Sequence, residues 1–362
     1  MVQGNAILSP PSPGGTRGEG KRDIRKLTLE ELRAFFVHQG DKAFRAQQVH
    51  EWLWKKSAKD FDQMTNLSLP TRELLKEHFT INHIHVDHMQ RSADGTIKNA
   101  VKLHDGLIVE SVLIPTEKRI TACVSSQVGC SLDCHFCATA RLKRMRNLNP
   151  DEIYDQVAAI KQQSELFFGR PLTNIVFMGM GEPLLNYTNV IAAIEKITSP
   201  HGLNMAARRL TVSTVGIAKM IMKLADDEVK FNLAVSLHSA INATRSSMMP
   251  INDSNSLEDL GEALKYWYKK RKRKVTYEYV VWDGVNDKLE DAQALLEFCK
   301  IIPCKVNLIE YNPIDEGRFQ QAGEDKLLMY LQLLESNGIT TRIRKSRGKD
   351  IDAACGQLAN KS

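Results

Sequence analysis

The sequence lacks any long apolar segment. No stretch of its 362 residues approaches the roughly 18 consecutive apolar residues of a membrane-spanning helix. Residues 1–20 are rich in Gly, Pro and Ser and contain no apolar block of the kind that a secretory signal requires. Both absences argue against a membrane partner and against export, so we expect a cytoplasmic protein.

The chain also has little excess charge and few cysteines. Its 49 Lys and Arg residues are nearly balanced by 43 Asp and Glu, and the net charge of +6 is compatible with a nucleic-acid partner without requiring one. The seven cysteines are an odd number, and three of them fall within eight residues, which is a poor pattern for a disulfide framework. In a reducing compartment such a group favours a metal site.

The pattern along the chain predicts five regions. Residues 1–20 have too few apolar side chains to offset the entropy of ordering, so we expect a disordered leader. The sequence then predicts a helical module over residues 21–83 and a β-meander over residues 84–116. An alternating β/α domain is expected over residues 117–345, followed by a C-terminal segment, residues 346–362.

Local signals support the first two structured regions. Thr28 and Glu31 form a capping box at the start of the first helix. A second helix is expected in FRAQQVHEWLWKK, and a third opens at Pro70. The Asp-Gly pairs at 94–95 and 105–106 are turn signals between short strands, which indicates the meander.

From residue 118 onward, strand-like and helix-like runs alternate about six times. This alternation predicts the α/β fold class, with parallel strands joined by crossover helices. The pattern alone is compatible with either a barrel or a doubly wound sheet.

A cysteine motif follows the first strand of this series. Cys130, Cys134 and Cys137 have the spacing C-x3-C-x2-C. Three thiolates can hold three irons of a 4Fe-4S cluster and leave the fourth iron open to substrate. A structural zinc site is the alternative, with Cys123 or His135 as the fourth ligand.

The motif, with Phe136 before its last cysteine, resembles the radical SAM (S-adenosylmethionine) superfamily. Five segments are similar to the dual-specificity RNA methyltransferases of that superfamily: CVSSQVGCSLDCHFCATA, FMGMGEPLLNY, TVSTVGI, AVSLHS and KSRGKDIDAACGQL. The resemblance runs from about residue 25 to 358. It implies a partial (βα)6 barrel and methylation of adenosine C2 in 23S rRNA, at the peptidyl transferase centre, and in tRNA anticodon loops.

The resemblance also implies the cofactors and their ligands. Cys130, Cys134 and Cys137 would hold one 4Fe-4S cluster, and two SAM molecules would be used in each turnover. The residues that line the SAM site would be Gly181, Glu182, Ser213, Ser236, Leu237, His238 and Asn312. From the residues alone, the GMGEP turn lacks the third glycine of a dinucleotide loop, and Glu182 can accept hydrogen bonds from an ammonium group. A plain turn is the alternative interpretation.

Three catalytic residues follow from the resemblance. Cys355 would accept a methyl group from the first SAM, and a radical derived from the second SAM would remove hydrogen from that S-methyl group. The carbon radical would add to adenine, Cys123 would release the product by forming a transient disulfide with Cys355, and Glu110 would be the proton acceptor. From the residues alone, Cys355 could be a small buried side chain and Glu110 a solvated surface carboxylate.

RNA is the expected partner. Basic runs at 141–146 and 269–274 could neutralise phosphates, although the second run is equally typical of a solvated helix end. The resemblance implies that the helical module binds RNA and that an external donor such as a flavodoxin supplies electrons, and we expect a monomer. The target adenine should enter single-stranded or flipped out of its stem.

Two further groups are interpreted without a function. Cys299 and Cys304 lie in apolar surroundings and predict packing. His83, His85 and Asp87 alternate along a strand and could hold a metal, but partly exposed polar strand residues are far commoner.

Two other functions stay open. A related methyltransferase modifies C8 of the same ribosomal adenine and confers antibiotic resistance, although GEPLLNY and VSSQVGC fit the C2 enzymes better. A non-enzymatic RNA-binding protein with a structural zinc is the second alternative, and it leaves Cys355 and the GMGEP turn without a role.

Overall fold

A computed structural model describes residues 20–315 and 317–360. It divides the chain into two compact units, Met1–Asn82 and His83–Ser362. The expected disordered leader, apart from its last residue, lies outside the described residues. None of the helices in the described part of the chain is long and apolar enough to cross a membrane.

The first unit is built on three helices and a short parallel strand pair. Its elements are β1 (Arg22–Asp23), α1 (Leu29–His38), α2 (Phe44–Trp54), α3 (Leu69–His78) and β2 (Phe79–Thr80). The predicted capping box is confirmed, because the Glu31 amide donates to Thr28 Oγ1 (3.1 Å) and the Thr28 amide donates to the Glu31 carboxylate (2.6 Å). Phe36, Val49 and Leu75 are fully buried and form the core between the helices.

The second unit is organised around a ten-stranded sheet. Its strands are β3 (His85–Arg91), β4 (Ile97–Lys102), β5 (Ile108–Pro115), β6 (Ile120–Cys123), β9 (Asn174–Phe177), β10 (Leu210–Thr214), β11 (Asn232–Ser236), β12 (Val275–Val280), β13 (Cys304–Ile309) and β14 (Thr340–Arg344). A separate antiparallel pair, β7 (Gln127–Val128) and β8 (Arg146–Asn147), flanks the cysteine motif in the sequence. The sheet order is β14-β13-β12-β11-β10-β9-β6-β5-β4-β3.

Seven helices connect the parallel strands. They are α4 (Pro150–Phe168), α5 (Tyr187–Thr198), α6 (Ala218–Asp226), α7 (Asn242–Met248), α8 (Leu257–Arg271), α9 (Leu289–Cys299) and α10 (Glu324–Ser336). Six β/α units, beginning at β6, are followed by β14, so the predicted α/β class with six units is confirmed. The parallel strands follow chain order without reversal, which is the winding of a barrel and not of a doubly wound sheet. The sheet does not close, because β14 and β3 remain its two edges.

The predicted β-meander continues the barrel sheet. Strands β3, β4 and β5 pair antiparallel, and β5 pairs antiparallel with β6. The expected turns form, with Gly95 donating to the Ser92 carbonyl and Gly106 to the Leu103 carbonyl. The meander therefore lies directly beside the first barrel strand, which ends at Cys123.

Candidate active site and cofactor cavity

A cavity of about 170 Å³ lies at the carboxyl ends of the parallel strands. Loops that follow strands of a β/α barrel meet at this face, which is where enzymes of this architecture place their chemistry. The cavity is lined by ten of the residues that the resemblance implies: Cys130, Cys134, Cys137, Gly181, Glu182, Ser213, Ser236, His238, Asn312 and Cys355. Leu237, Cys123 and Glu110 are the implied residues that do not line it.

The three motif cysteines all line the cavity. Burial raises the pKa of all three thiols, and in Cys134 the neighbouring Cys137 and Cys130 raise the pKa further. Clustered buried thiols become good ligands when a metal replaces their protons. Among the described residues, however, no group of three or more His, Cys, Asp or Glu side chains is placed to hold a metal ion. Three thiolates are the protein ligands that a 4Fe-4S cluster with one open iron needs. The sulfur atoms in this structure are not placed close enough together to form that site.

Glu182 supplies a buried negative charge to the same cavity. Its carboxylate accepts hydrogen bonds from the amides of Leu184 (3.0 Å) and Val215 (2.9 Å), and only 3% of the residue is exposed. Burial nevertheless raises the pKa of Glu182 to about 7, because two amides only partly offset the loss of solvent. A cationic amine would fit this carboxylate, and the amine of SAM is such a group.

The two glycines of the GMGEP turn are needed by the protein itself. A Cβ atom at Gly179 would lie 2.7 Å from Ser125 Oγ, and one at Gly181 would lie 2.4 Å from Gln127 Cβ. Gly181 also has φ +90°, a conformation that other residues adopt with strain. The absence of side chains at these glycines therefore lets the GMGEP turn pack closely against the residues that follow β6.

We predict that Gly181→Ala will destabilise the protein by about 2–5 kcal/mol, because left-handed strain and overpacking against Gln127 add together. The measurement is the free energy of unfolding in denaturant. Gly284→Ala is the matched control, since Gly284 has φ +67° but nothing within 4 Å of the added Cβ. Equal losses in the two variants would contradict the role of the Gln127 contact.

His238 presents a neutral imidazole to the cavity. Burial and the nearby Arg245 lower its pKa to about 3, and its Nδ1 atom accepts a hydrogen bond from the Val280 amide (3.2 Å). The remaining ring nitrogen, Nε2, is therefore a hydrogen-bond donor. Phe136 and Trp282 pack against the ring, with centroids 4.8 and 5.6 Å away.

Arg245 is a structural residue of the site that the sequence did not indicate. It is completely buried, and its guanidinium donates to the carbonyls of Val215, Ser236 and Leu237 and to Asn252 Oδ1. These acceptors are neutral, and burial lowers the pKa of Arg245 to about 10, so the group stays charged at neutral pH. Leu237 thus contributes its carbonyl to Arg245 while its side chain is buried.

Unsatisfied polar atoms around the cavity fit a polar ligand. Asn312 Oδ1, Trp282 Nε1 and Tyr311 Oη are buried and have no hydrogen-bond partner among the described residues. All three residues line the cavity. Because buried polar groups without a partner are rare, donors and acceptors such as those of SAM would complete the site.

A second cavity, of about 60 Å³, adjoins the first. Cys355 lines both cavities, whereas Cys123 lines only the second. Burial, with a contribution from Cys355, raises the pKa of Cys123 to about 12. Both thiols are free in this structure, so the expected transient disulfide is not formed. The structure brings the two implied catalytic cysteines to one small space.

Arg344 and Glu278 also belong to this region and were not predicted. Arg344 lines both cavities, and its Nη1 atom lies 3.2 Å from the buried Glu278 carboxylate. Cys355 faces the open cavity but lies deep in the protein, and burial raises its pKa while the Arg344 guanidinium opposes that rise. The alternation of Arg342 and Arg344 along β14 was the only available sequence signal.

Glu110 lies away from both cavities. Its carboxylate is 1% exposed, pairs with Lys98 (3.3 Å) and accepts hydrogen bonds from the amides of Ala359 (2.8 Å) and Asn360 (3.1 Å). The alternative of a solvated surface carboxylate is therefore wrong. The proton-acceptor role implied by the resemblance stays a prediction.

In both basic runs, some of the cationic side chains are already bound to groups of the protein and are not free to bind phosphate. Arg146 is held by Glu152 (2.7 Å) and Asp105 (2.6 Å), and Arg141 donates to the Asp315 carbonyl. Lys143 and Arg144 are the other exposed cations of the run, beside the cysteine motif. In the second run, arginines hold neighbouring carbonyls, as Arg271 does that of Val229 (3.1 Å). This second run is in part a structural helix end.

The remaining candidates have ordinary surroundings. Cys299 and Cys304 are buried, and Cys304 Sγ lies 3.6 Å from the Cys299 carbonyl, which confirms packing. The rings of His83 and His85 lie 4.5 Å apart. His135 contacts the Ser247 carbonyl through Nδ1 (2.8 Å).

Comparisons with known proteins agree with this architecture. Residues 22–81 match the family model described as ribosomal RNA large subunit methyltransferase N-terminal domain. Residues 124–299 match the model of the radical SAM superfamily. The two matches cover the helical module and most of the parallel strands.

Similar proteins span almost the whole chain. A protein of Christiangramia forsetii named "Probable dual-specificity RNA methyltransferase RlmN" is 69% identical, covering 94% of this chain and 97% of the relative. A protein of Salinibacter ruber with the same name is 44% identical, covering 94% and 95%. The crystal structure of a radical SAM methyltransferase from Sphaerobacter thermophilus has a TM-score of 0.89 at 37% identity, covering 94% of this chain and 100% of that one.

Proposed function

The chain belongs to the RlmN family of radical SAM RNA methyltransferases, and on that premise we propose that it methylates C2 of adenosine. The RNA substrates we propose are 23S rRNA, at the peptidyl transferase centre, and tRNA anticodon loops. Membership in the radical SAM superfamily implies a 4Fe-4S cluster and SAM. We further propose two SAM per turnover, an external electron donor such as a flavodoxin, a monomeric enzyme and a cytoplasmic location.

One observation carries the proposal. Cys355 lines the cavity of the three motif cysteines and Glu182, and it also lines the second cavity with Cys123. A thiol at that junction can receive a methyl group from one side and be attacked by another thiol on the other. Such a carrier is needed because the electron-poor C2 carbon of adenine cannot attack a sulfonium methyl directly.

The chain's own residues would act in a fixed order. Cys130, Cys134 and Cys137 would hold the cluster, and Glu182, Ser213, Ser236, His238 and Asn312 would hold SAM. Cys355 loses its proton, and its thiolate attacks the SAM methyl carbon as the carbon–sulfur bond of the sulfonium breaks. When bound, the cluster and a second SAM supply the radical chemistry that activates the S-methyl group toward adenine.

Product release is assigned to the second cavity. Before release, adenine C2 would lose its hydrogen as a proton and one electron, and the cluster, when bound, would be the electron acceptor. The Cys123 thiolate then attacks Cys355 Sγ, and the bond between Sγ and the transferred carbon breaks, with its electrons going to that carbon. The carbon takes up a proton, and the Cys123–Cys355 disulfide must be reduced by the external donor before the next turnover. Two thiols on one cavity of about 60 Å³ support this step.

RNA binding would use the exposed cations beside the motif and the helical module. Lys143 and Arg144 can contact phosphates without losing an internal ion pair to a carboxylate. The match of residues 22–81 to the ribosomal RNA methyltransferase N-terminal domain supports an RNA-binding module there. An adenine inside a stem cannot reach a cavity at the carboxyl ends of the barrel strands, so the adenine should enter single-stranded or flipped.

The pKa of Glu182 predicts a pH dependence for SAM binding. Its pKa of about 7 means that the carboxyl is neutral at lower pH and cannot attract the SAM amine. Affinity should fall about tenfold for each pH unit below 7, down to pH 5.5. Equilibrium dialysis of labelled SAM with cluster-loaded enzyme measures this effect.

Glu182→Gln is the control for that measurement. It should bind SAM more weakly at pH 7.5 and show no pH dependence between 5.5 and 7.5. An unchanged slope in the variant would assign the titration to another group.

The function is tested by mass spectrometry of nucleosides after anaerobic incubation of unmodified large-subunit RNA with reconstituted enzyme, SAM and reductant. Appearance of 2-methyladenosine supports the proposal, and 8-methyladenosine would move the protein to the resistance branch. No methylation of ribosomal RNA or of an unmodified tRNA, despite an intact cluster, would refute it. The non-enzymatic zinc protein is already excluded by the family relationship.

A further inference from the structure

The segment that carries Cys355 is held by the β-meander. Asp350 accepts hydrogen bonds from Ser92 Oγ (2.6 Å) and the Ala93 amide (3.1 Å), and the Gly348 amide donates to Asp94 (3.0 Å). These contacts join the turn between β3 and β4 to the start of the segment. They lie five or more residues before Cys355.

A buried ion pair binds the same segment at points nearer to Cys355, both before and after this residue. Lys98 on β4 pairs with Glu110 on β5 (3.3 Å), and the two side chains are 5% and 1% exposed. Lys98 Nζ also lies 3.5 Å from the Asp352 carbonyl, three residues before Cys355. Glu110 accepts from the amides of Ala359 and Asn360, four and five residues after it. Two neighbouring side chains of the meander thus bind both flanks of the reactive thiol.

The opposite side of the segment contacts the barrel. Asn312 Nδ2 donates to the Cys355 carbonyl (3.2 Å), and the Ala138 amide donates to the Gly356 carbonyl (2.7 Å). The segment around Cys355 therefore contacts the cavity wall on one side and the meander on the other. The meander contacts hold the chain before Cys355 at Asp352 and after it at Ala359 and Asn360.

We propose that Lys98 and Glu110 are positioning residues that clamp the Cys355 segment to the meander and so aim the thiol into the cavity. This inference rests on the proposed function of Cys355 as methyl carrier, and it gives the β-meander a role in the reaction. Glu110 uses one oxygen for Lys98 and the other for two amides, so its acceptor capacity serves the clamp. To take a proton from the substrate, the same carboxylate would have to release the segment.

The test measures Cys355 before any RNA is present. S-methylation of Cys355 by SAM and its alkylation by iodoacetamide are both followed by peptide mass spectrometry in cluster-loaded enzyme. In Glu110→Gln and Lys98→Met we expect S-methylation to slow about tenfold, because small misplacements of a reacting group have effects of this size or larger. Alkylation should become several-fold faster, because the released segment can carry the thiol out of the cavity into bulk solvent.

A truncation of the C-terminus removes the amides that Glu110 binds and leaves Lys98 and Glu110 unchanged. A chain that ends at Leu358 lacks the Ala359 and Asn360 amides, and it should reproduce the effects of Glu110→Gln. Adding the truncation to Glu110→Gln should have little further effect, since both changes weaken the contact between Glu110 and the amides of Ala359 and Asn360. Asp87→Asn is the matched control, because Asp87 is an exposed carboxylate of the same meander, and it should behave as wild type.

The outcomes separate the clamp from the proposed function. If the wild-type enzyme acquires no S-methyl group on Cys355, the proposed function fails. If wild type is methylated and both Glu110→Gln and the truncated chain keep its methylation and alkylation rates, only the clamp is overturned. Normal S-methylation in Glu110→Gln with a block after RNA is added would assign Glu110 to proton transfer instead.

Discussion

Cys355→Ala should abolish RNA methylation while iron content and SAM binding stay at wild-type levels. Cys355 lines the cavity but is not one of the three motif cysteines, so its loss removes the methyl carrier without removing a cluster ligand. We expect a decrease in turnover of at least about a thousandfold, as for other covalent nucleophiles. Nucleoside mass spectrometry measures the product, and chemical iron analysis measures the cluster.

Cys299→Ala is the matched control for this variant. Cys299 is buried at the end of α9 and lines neither cavity, so its replacement should leave methylation intact. Loss of iron from Cys355→Ala would instead identify Cys355 as a cluster ligand. Residual methylation close to the wild-type rate would rule out the carrier role.

Cys123→Ala should trap a covalent adduct between the protein and RNA. Cys123 shares the smaller cavity with Cys355, so removing its thiol leaves the thioether with no internal group to cleave it. Up to one equivalent of RNA should accumulate on the protein, and free methylated RNA should be nearly absent. Denaturing gel electrophoresis with labelled RNA detects the adduct.

The double variant Cys123→Ala, Cys355→Ala should form no adduct, because it has no thiol to carry the methyl group. An adduct in this double variant would place the link on another residue. Free product from Cys123→Ala at the normal rate, with no adduct, would show that another group resolves the intermediate.

Several elements were predictable because their causes lie within a few residues. A capping box at Thr28 and Glu31 begins α1, and α4 begins at Pro150 with its own capping box between Asn149 and Glu152. In both, the bonded groups are three residues apart. The same holds for the Asp-Gly turns of the meander.

The site was predictable only where residue type and spacing carry the chemistry. The spacing of Cys130, Cys134 and Cys137 indicates a cluster, and Glu182 lies in the turn after β9, at the face where barrels place their ligands. Arg245 looks like an ordinary helix residue, because no local pattern indicates the carbonyls that it binds, those of Val215 just after β10 and of Ser236 in β11.

The sequence by itself determined the α/β class, the order of the six units, the cysteine motif and the family. Local propensity, hydrophobic period and motif spacing depend on residues close together in the chain, so they can be recognised in the sequence alone. Only the tertiary structure decided between a barrel and a doubly wound sheet, placed Cys355 between two cavities and turned Glu110 toward the C-terminal segment. Those results depend on contacts between distant residues, such as the 249 positions that separate Glu110 from Ala359, and no local pattern records such pairings.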